Sequence, residues 1–542
     1  MVSDKLFEYL IGVLEPLSER IYAERYRDYG GADELRGLGY GDKGGKKITV
    51  WRGETLRLVM RELICESEPR YFLSNGSKGV LYVYDGISYR RIDDGVVFLK
   101  EFLKRLFKSL GIGLRYVDEY PAKMIAESCI DTLLASDKYL YVPDTRYIAF
   151  NNTVYDAQRN VPVTSRPSLR PWIRLDLDYR TKSEAYRACA DKYGILDNPC
   201  KLWDEKIRQI IPHSESRRIF QMWCGALMAD KREYKKEYVL FLVGPGANGK
   251  SLVSEVVASV FGEDYFSRFS LRQLFKDSDR NVNIAALRGK VANFIDDLDV
   301  REISGGDFKR FASGGVFQGR VPYDRKPINV VAPPLLCCTN AMPDSDDDTY
   351  GGYRRRLVVY TTSKSFTGAN RDTTLPYKLT REDVLVYIFH WIMEGYRMFV
   401  KHGGDMPMSE GFLRIQEFAR AGSNSMRRWW FDSDYEPVKR YDKDNVHLLS
   451  ELHAEYLLYA KSERSKPFTP KELSAMLEDK GCWKHHSRRG TQFCLRKIEQ
   501  GHSRPWEDKP DTDTDTEKEG NNDLIEEQNG NNEGLGEAEA QV

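Results

Sequence analysis

The middle of the chain alternates unbroken apolar runs with polar turns. Residues 238–243 (Tyr-Val-Leu-Phe-Leu-Val) form one such run, long enough for a strand buried on both faces. A glycine-rich turn follows, and behind it Leu252, Val253, Val256, Val257 and Val260 recur at helical spacing. Two further runs, 291–295 and 335–339, read as neighbouring strands, and the predicted fold class is α/β. Elsewhere the period changes. Residues 81–89 alternate and turn at Asp85-Gly86, as a hairpin would, and 147–156 repeat that pattern. Helical patterns cover 183–228 and 379–400. Near the C-terminus the predicted order is a helix over 449–462, a second over 470–480 entered through Thr469, then two β segments around the turn 487–490. That order suggests a small winged-helix domain. No internal repeat is present.

Composition narrows the class. Of 542 residues, 41% are hydrophobic and 30% charged, as in a globular chain too long for one core, with three or four domains expected. No apolar run approaches the roughly 18 residues of a membrane span, and no signal-peptide pattern opens the chain. Nine scattered cysteines without a C-x-x-C pair read as reduced thiols in a cytoplasmic compartment. The formal net charge of zero hides an asymmetry. From Ser503 to Val542 there are 13 acidic and 3 basic residues, which leaves 79 Lys+Arg against 69 Asp+Glu in the rest. The tail has too little apolar surface to fold and is expected to be disordered. The remaining body is mildly basic, which permits nucleic-acid binding.

The chemistry concentrates around the first apolar run. Gly244-Pro245-Gly246-Ala247-Asn248-Gly249-Lys250-Ser251 matches G-x-x-x-x-G-K-[ST], set between a predicted strand and a predicted helix. Such a turn aims backbone N–H groups and a helix N-terminus at one point where polyphosphate can sit. Lys250 is then expected on the β- and γ-phosphates of ATP, and Ser251 on Mg²⁺. The second strand ends in Asp296-Asp297, 46 residues after Lys250. Asp296 suits magnesium, and Asp297 suits the attacking water. The third strand ends at Asn340, placed to hydrogen-bond water or the γ-phosphate. Arg354-Arg355-Arg356 precede another apolar run, where an arginine can reach across a subunit boundary.

Together, KVANFIDDLD, FKRFASGG, RVPYDRKPI, CTNAMPD and GGYRRRLVV, with the loop before them, resemble the superfamily 3 helicases of phage, plasmid and poxvirus primase-helicases. The resemblance covers roughly residues 70–365, including YIAFNNTVYDAQ and the helix through Gln221 to Gly225. It implies a modified AAA+ core, a homo-oligomeric ring (commonly hexameric) and 3′-to-5′ translocation on single-stranded DNA at replication forks. It further implies that Lys250 and Ser251 hold phosphate and Mg²⁺, that Asp296 and Asp297 are the acidic pair, that Asn340 is the sensor, and that Arg355 is the finger with Arg356 close behind. A DNA-gripping hairpin is implied over 316–330, with Tyr323, Arg325 and Lys326 near its tip and Lys309 and Arg320 as further contacts. Two positions depart from the family: Gly314 is followed by Gly315 rather than aspartate, and Val359-Tyr360-Thr361 replaces Ile-Pro-Phe. The implied division is an N-terminal mixed domain (1–115), a helical pre-helicase domain (116–236), the ATPase/helicase domain (237–375), a helical connector (376–440), a winged helix (441–502) and the acidic tail. Asp176-Leu-Asp178 imitates a primase metal motif without a partner, so any primase is expected in a separate protein. An ATP-switched origin-binding or loading factor, or a DNA-remodelling or packaging ATPase, are the alternatives.

Overall fold

A computed structural model describes the chain except for residues 1–3, 27–52, 75, 77–78, 111–118, 196, 230–232, 235–236, 299–305, 323–326, 341–355, 363, 369–370, 423–424, 434, 463–466 and 498–542. The molecule is mixed α/β. Its centre is a five-stranded parallel sheet built from β1 (Val239–Val243), β2 (Phe266–Ser267), β3 (Ala292–Ile295), β4 (Leu335–Thr339) and β5 (Arg356–Tyr360). The strand order is β5-β1-β4-β3-β2. Because side chains alternate across a strand, each apolar run divides between two cores. Leu240, Leu242, Phe294, Leu336, Leu357 and Val359 enter one, while Val239, Phe241, Val243, Ile295, Leu335 and Val358 enter the other. A sheet buried on both faces needs just such unbroken runs, which is why all of these strands but the two-residue β2 were visible in the sequence.

Different parts of the chain cover the two faces. On the first pack the helix Lys250–Phe261 and helices from before and after the sheet region: Pro199–Ile210, Ser214–Ala226 and Glu382–Lys401. Ser214–Ala226 and Glu382–Lys401 cross backbone to backbone at two glycines. A Cβ on Gly225 would lie 2.0 Å from the Tyr396 nitrogen, and one on Gly395 would lie 2.1 Å from the Gln221 carbonyl oxygen. On the second face sit the short helices Leu271–Phe275, Arg280–Ala286 and Gly306–Ala312, with the antiparallel hairpin of Val316–Gly319 and Ile328–Val331.

The flanking regions have cores of their own. An N-terminal cluster joins the helices Asp4–Ile21, Gly95–Ser109 and Glu119–Leu134 with a three-stranded sheet whose hairpin turns at 85–88, as the sequence predicts. The region expected to be helical, 116–236, also carries a four-stranded sheet between Asp144 and Arg174, part of which is the predicted 147–156 hairpin. The C-terminal cluster contains the predicted helices, Leu449–Ser462 and Pro470–Asp479, the latter capped by a reciprocal Thr469–Glu472 box. The strands Lys484–Ser487 and Gly490–Lys497 follow, and Val446–Leu448 and Tyr435–Pro437 pair with the second of them. Trp429 and Trp430 are buried in this cluster, against Tyr435 and Tyr456. All nine cysteines are buried and unbridged. Among the described residues no helix is long and apolar enough to cross a membrane.

Candidate functional site

Register alone gathers most of the predicted chemistry at one edge of the sheet. Val243 lies opposite Thr339 and Tyr360, and Ile295 opposite Cys337. The glycine-rich loop, Asp296, Asn340 and Thr361 therefore all leave the sheet at the carboxyl ends of their strands. In open α/β sheets, that edge is where ligands bind.

The loop is held by its carbonyl groups. Lys250 is buried, and its Nζ donates to Gly244 O at 2.6 Å, Pro245 O at 2.8 Å and Asn248 Oδ1 at 3.1 Å. Ser365 Oγ donates to Gly246 O at 3.2 Å, and the Phe366 amide to Ala247 O at 2.7 Å. The Val253 amide closes the series on Gly249 O at 3.1 Å. Asn248, itself buried, donates from Nδ2 to Thr361 Oγ1 at 2.5 Å and to Thr362 O at 3.1 Å. Thr361, Thr362, Ser365 and Phe366 thus line the loop. By contrast, among the described residues the backbone N–H groups of Gly246 through Ser251 have no intramolecular acceptor. The carbonyls turn inward and the donors are left over, the polarity of an anion-binding nest.

The conformation explains the glycines. Gly249 has φ 93°, and a Cβ there would meet Ile210 Cδ1 at 2.6 Å. At Gly244 a Cβ would lie 2.2 Å from Thr361 Oγ1, whereas Gly246 faces open space. Ala247, at φ 57°, adopts the left-handed region without being glycine, a strained position of the kind found at functional sites.

Asp296 and Asp297 are exposed at the end of β3. Arg268, just past β2, donates from Nη1 to Asp296 Oδ2 at 2.9 Å and also lies 3.6 Å from Glu263. Burial lowers the Lys250 ammonium pKa, and the nearby Cys338 and Asp297 charges oppose that shift. Burial pushes the Cys338 thiol up to about 12, with the Asp296 carboxylate adding to the effect. Cys338 is buried on β4, the strand between β1 and β3. Asn340 is exposed at the end of β4, and Ser251 is exposed in the first turn of the helix that follows the loop. The oxygen donors Ser251 and Asp296, beside a donor-rich loop, fit a hard divalent cation bound with a polyphosphate.

Other predicted residues lie apart. Arg356 opens β5 opposite Val239, at the amino edge of the sheet, away from the loop of its own chain. Arg355, Tyr323, Arg325 and Lys326 lie outside the described residues. The hairpin predicted over 316–330 is present and is seated close on the helix Arg280–Ala286: a Cβ on Gly319 would lie 2.6 Å from the Ala285 nitrogen. Arg320 is exposed, its amide bonded to Asn281 O at 2.8 Å, and Lys309 is exposed on the helix Gly306–Ala312. Sequence reasoning missed Arg268 and the Asn248–Thr361 link. Arg268 stands 28 residues before its acid, after a strand of two residues, and no local pattern marks it.

Residues 242–356 match a family of unknown function, DUF5906. The match opens within β1 and closes at the first residue of β5, so it brackets the loop, the acids and Asn340. Among solved structures, the A-form apo structure of the C-terminal region of NrS-1 aligns at TM-score 0.28 and 10% identity, over 54% of this chain and 75% of that one. Another apo structure of the same region aligns at TM-score 0.29 and 9% identity, over 54% and 74%. Likenesses of this size carry no argument about the fold or activity of this chain.

Proposed function

We propose that the chain is an ATP-dependent DNA motor of the superfamily 3 helicase type, with an AAA+-like phosphate-loop core and a winged helix near its C-terminus. The observation that carries this reading is the loop with the carbonyls of Gly244 through Ala247 and of Gly249 turned inward and its amides unclaimed, beside two carboxylates at the carboxyl edge of a parallel sheet. In this reading the amides of Gly246 through Ser251 bind the phosphates of ATP. Lys250 exchanges its loop carbonyls for phosphate oxygens. Ser251 and Asp296 hold Mg²⁺, whose charge offsets that of the phosphates. Asp297 orients and polarises the attacking water, and Asn340 stands next to it at the end of the neighbouring strand.

Arginine completes the site from outside. In this reading Arg355 and Arg356 serve a neighbouring copy; the backbone position of Arg356, opposite Val239 at the far edge of the sheet from the loop, supports it. Hydrolysis then waits on ring geometry, and the hairpin from Val316 to Val331 would carry single-stranded DNA through a ring, commonly a hexamer.

The test is ATP hydrolysis by the full chain with and without single-stranded DNA, beside Lys250→Ala. DNA-stimulated turnover that disappears in the variant is the expected result. Turnover indifferent to DNA would instead favour the switch or remodelling alternatives. An Arg355→Ala protein that hydrolyses ATP at the parental rate would overturn the assignment in trans.

A further inference from the structure

The C-terminal cluster leaves one row of rings outside its core. Trp483 stacks on His485 with centroids 5.5 Å apart and planes 17° apart, and Tyr441 continues the row 5.2 Å from Trp483. The backbone explains the row. The Trp483 amide bonds Val438 O at 2.8 Å, which brings the 438–441 segment alongside the strand Lys484–Ser487. Alternation then sends Lys484 toward the helix Pro470–Asp479, where it pairs with Glu478, and Trp483 and His485 to the opposite side. Tyr441 is 63% exposed, far more than packing would leave it, and neither it nor Trp483 belongs to the apolar cluster beneath.

Cations flank the row at both ends. Lys439, Arg440 and Lys443 lie on the Tyr441 segment, and His486, Arg488 and Arg489 lie at the hairpin turn. Among the described residues, Lys439, Arg440, Arg488 and Arg489 make no ion pair. The nearby acids are Asp442 and the exposed Asp444 on the Tyr441 segment, and Glu478 on the helix. Asp442 is engaged by the Asn445 side chain at 2.8 Å and the Asp444 amide at 3.1 Å, and Glu478 is taken by Lys484. Two exposed rings, Tyr441 and His485, on either side of the half-buried Trp483, with cations at both ends, match the chemistry of an unstacked nucleotide strand: bases for the rings, phosphates for the charges.

We infer that Tyr441, Trp483 and His485 form a stacking platform for single-stranded DNA, separate from the ATP site, with Arg488, Arg489 and Arg440 holding its phosphates. A duplex would not use it, because paired bases keep their faces covered. The inference rests on the part of the proposed function that makes single-stranded DNA the partner, and not on ATP hydrolysis.

The experiment is fluorescence anisotropy of a labelled oligothymidylate with the full chain carrying Lys250→Ala, so that turnover plays no part. Tyr441→Ala and His485→Ala alter exposed side chains, and unchanged circular dichroism and melting would show that they fold. Tyr441→Ala is expected to weaken binding about tenfold, and Tyr441→Phe to leave it unchanged. Arg488→Gln with Arg489→Gln is expected to reduce the salt slope by about 1–2. Equal binding by Tyr441→Ala, His485→Ala and their parent would overturn the platform while leaving the motor reading intact. A parent that binds duplex of the same length more tightly, with Tyr441→Ala harmless, would also overturn it. No binding by the parent at all would remove both.

Discussion

Arg268 shows how much one side chain adds to a site whose other members were legible. It sits against Asp296, the carboxylate proposed for Mg²⁺, and both are partly exposed, at 35% and 43% of their side-chain surface. Solvent screens such a pair, which places its strength within about 0.2–1 kcal/mol. The cation and Arg268 compete for the same carboxylate. Arg268→Ala is therefore expected to lower the Mg²⁺ concentration for half-maximal binding of a fluorescent ATP analogue by roughly 1.5- to fivefold. Titration without turnover measures this directly; an unchanged or higher midpoint would show that Arg268 positions the acid rather than competes for it. Lys250, Ser251, Asp296, Asp297 and Asn340 could be found from sequence because each follows an apolar run that only a buried strand explains. Arg268 could not, because its strand is two residues long and its partner is remote. Asn248 stood inside the motif, but its link to Thr361 spans 113 positions and depends on β5 lying beside β1.

Among the elements, the crossing of Ser214–Ala226 with Glu382–Lys401 bears most on the sheet. Both helices were expected from their apolar spacing. Their contact was not, because a glycine within a helical pattern signals cost before it signals packing. Here Gly225 and Gly395 let the two backbones touch, and neither position has room for a methyl group. Gly395→Ala would gain helix propensity of up to about 1 kcal/mol, yet the forced separation of the helices is expected to outweigh it. A net loss of about 1–3 kcal/mol, read as a lower thermal midpoint, is the expected outcome. A rise in the midpoint would mean that the crossing relaxes freely. The short helices and the hairpin on the other face illustrate the reverse case. They are too brief to show a period, and they take their shape from the sheet beneath.

Across the whole molecule, a buried charge ties the N-terminal sheet to the sheet that follows it. Asp85, in the first hairpin turn, accepts from the amides of Ile87 and Ser88 and pairs with Arg90 at 2.6 Å and Arg174 at 2.9 Å. Burial raises its carboxyl pKa, but Arg174, those amides and Arg90 more than offset this, and the net direction is down. A carboxylate whose pKa is depressed by folding contributes stability above its unfolded value of about 3.9, and that stability fades as pH falls through the folded value. Asp85→Asn is expected to cost about 1–3 kcal/mol at neutral pH and to flatten the loss of stability below about pH 4. Denaturant melts at neutral and acid pH would show this; parallel curves for parent and variant would exclude it. The 85–86 turn was readable in the sequence, whereas its partner across 89 positions was not.

The unclaimed amides of the loop also make it a built-in gauge of its own occupancy. Hydrogens with no internal acceptor trade freely with deuterated solvent, and an anion seated on them would halt that trade across one short stretch of backbone, Gly246 through Ser251. Whether the loop is filled can thus be read from the backbone itself, before any bond is broken and in proteins that break none.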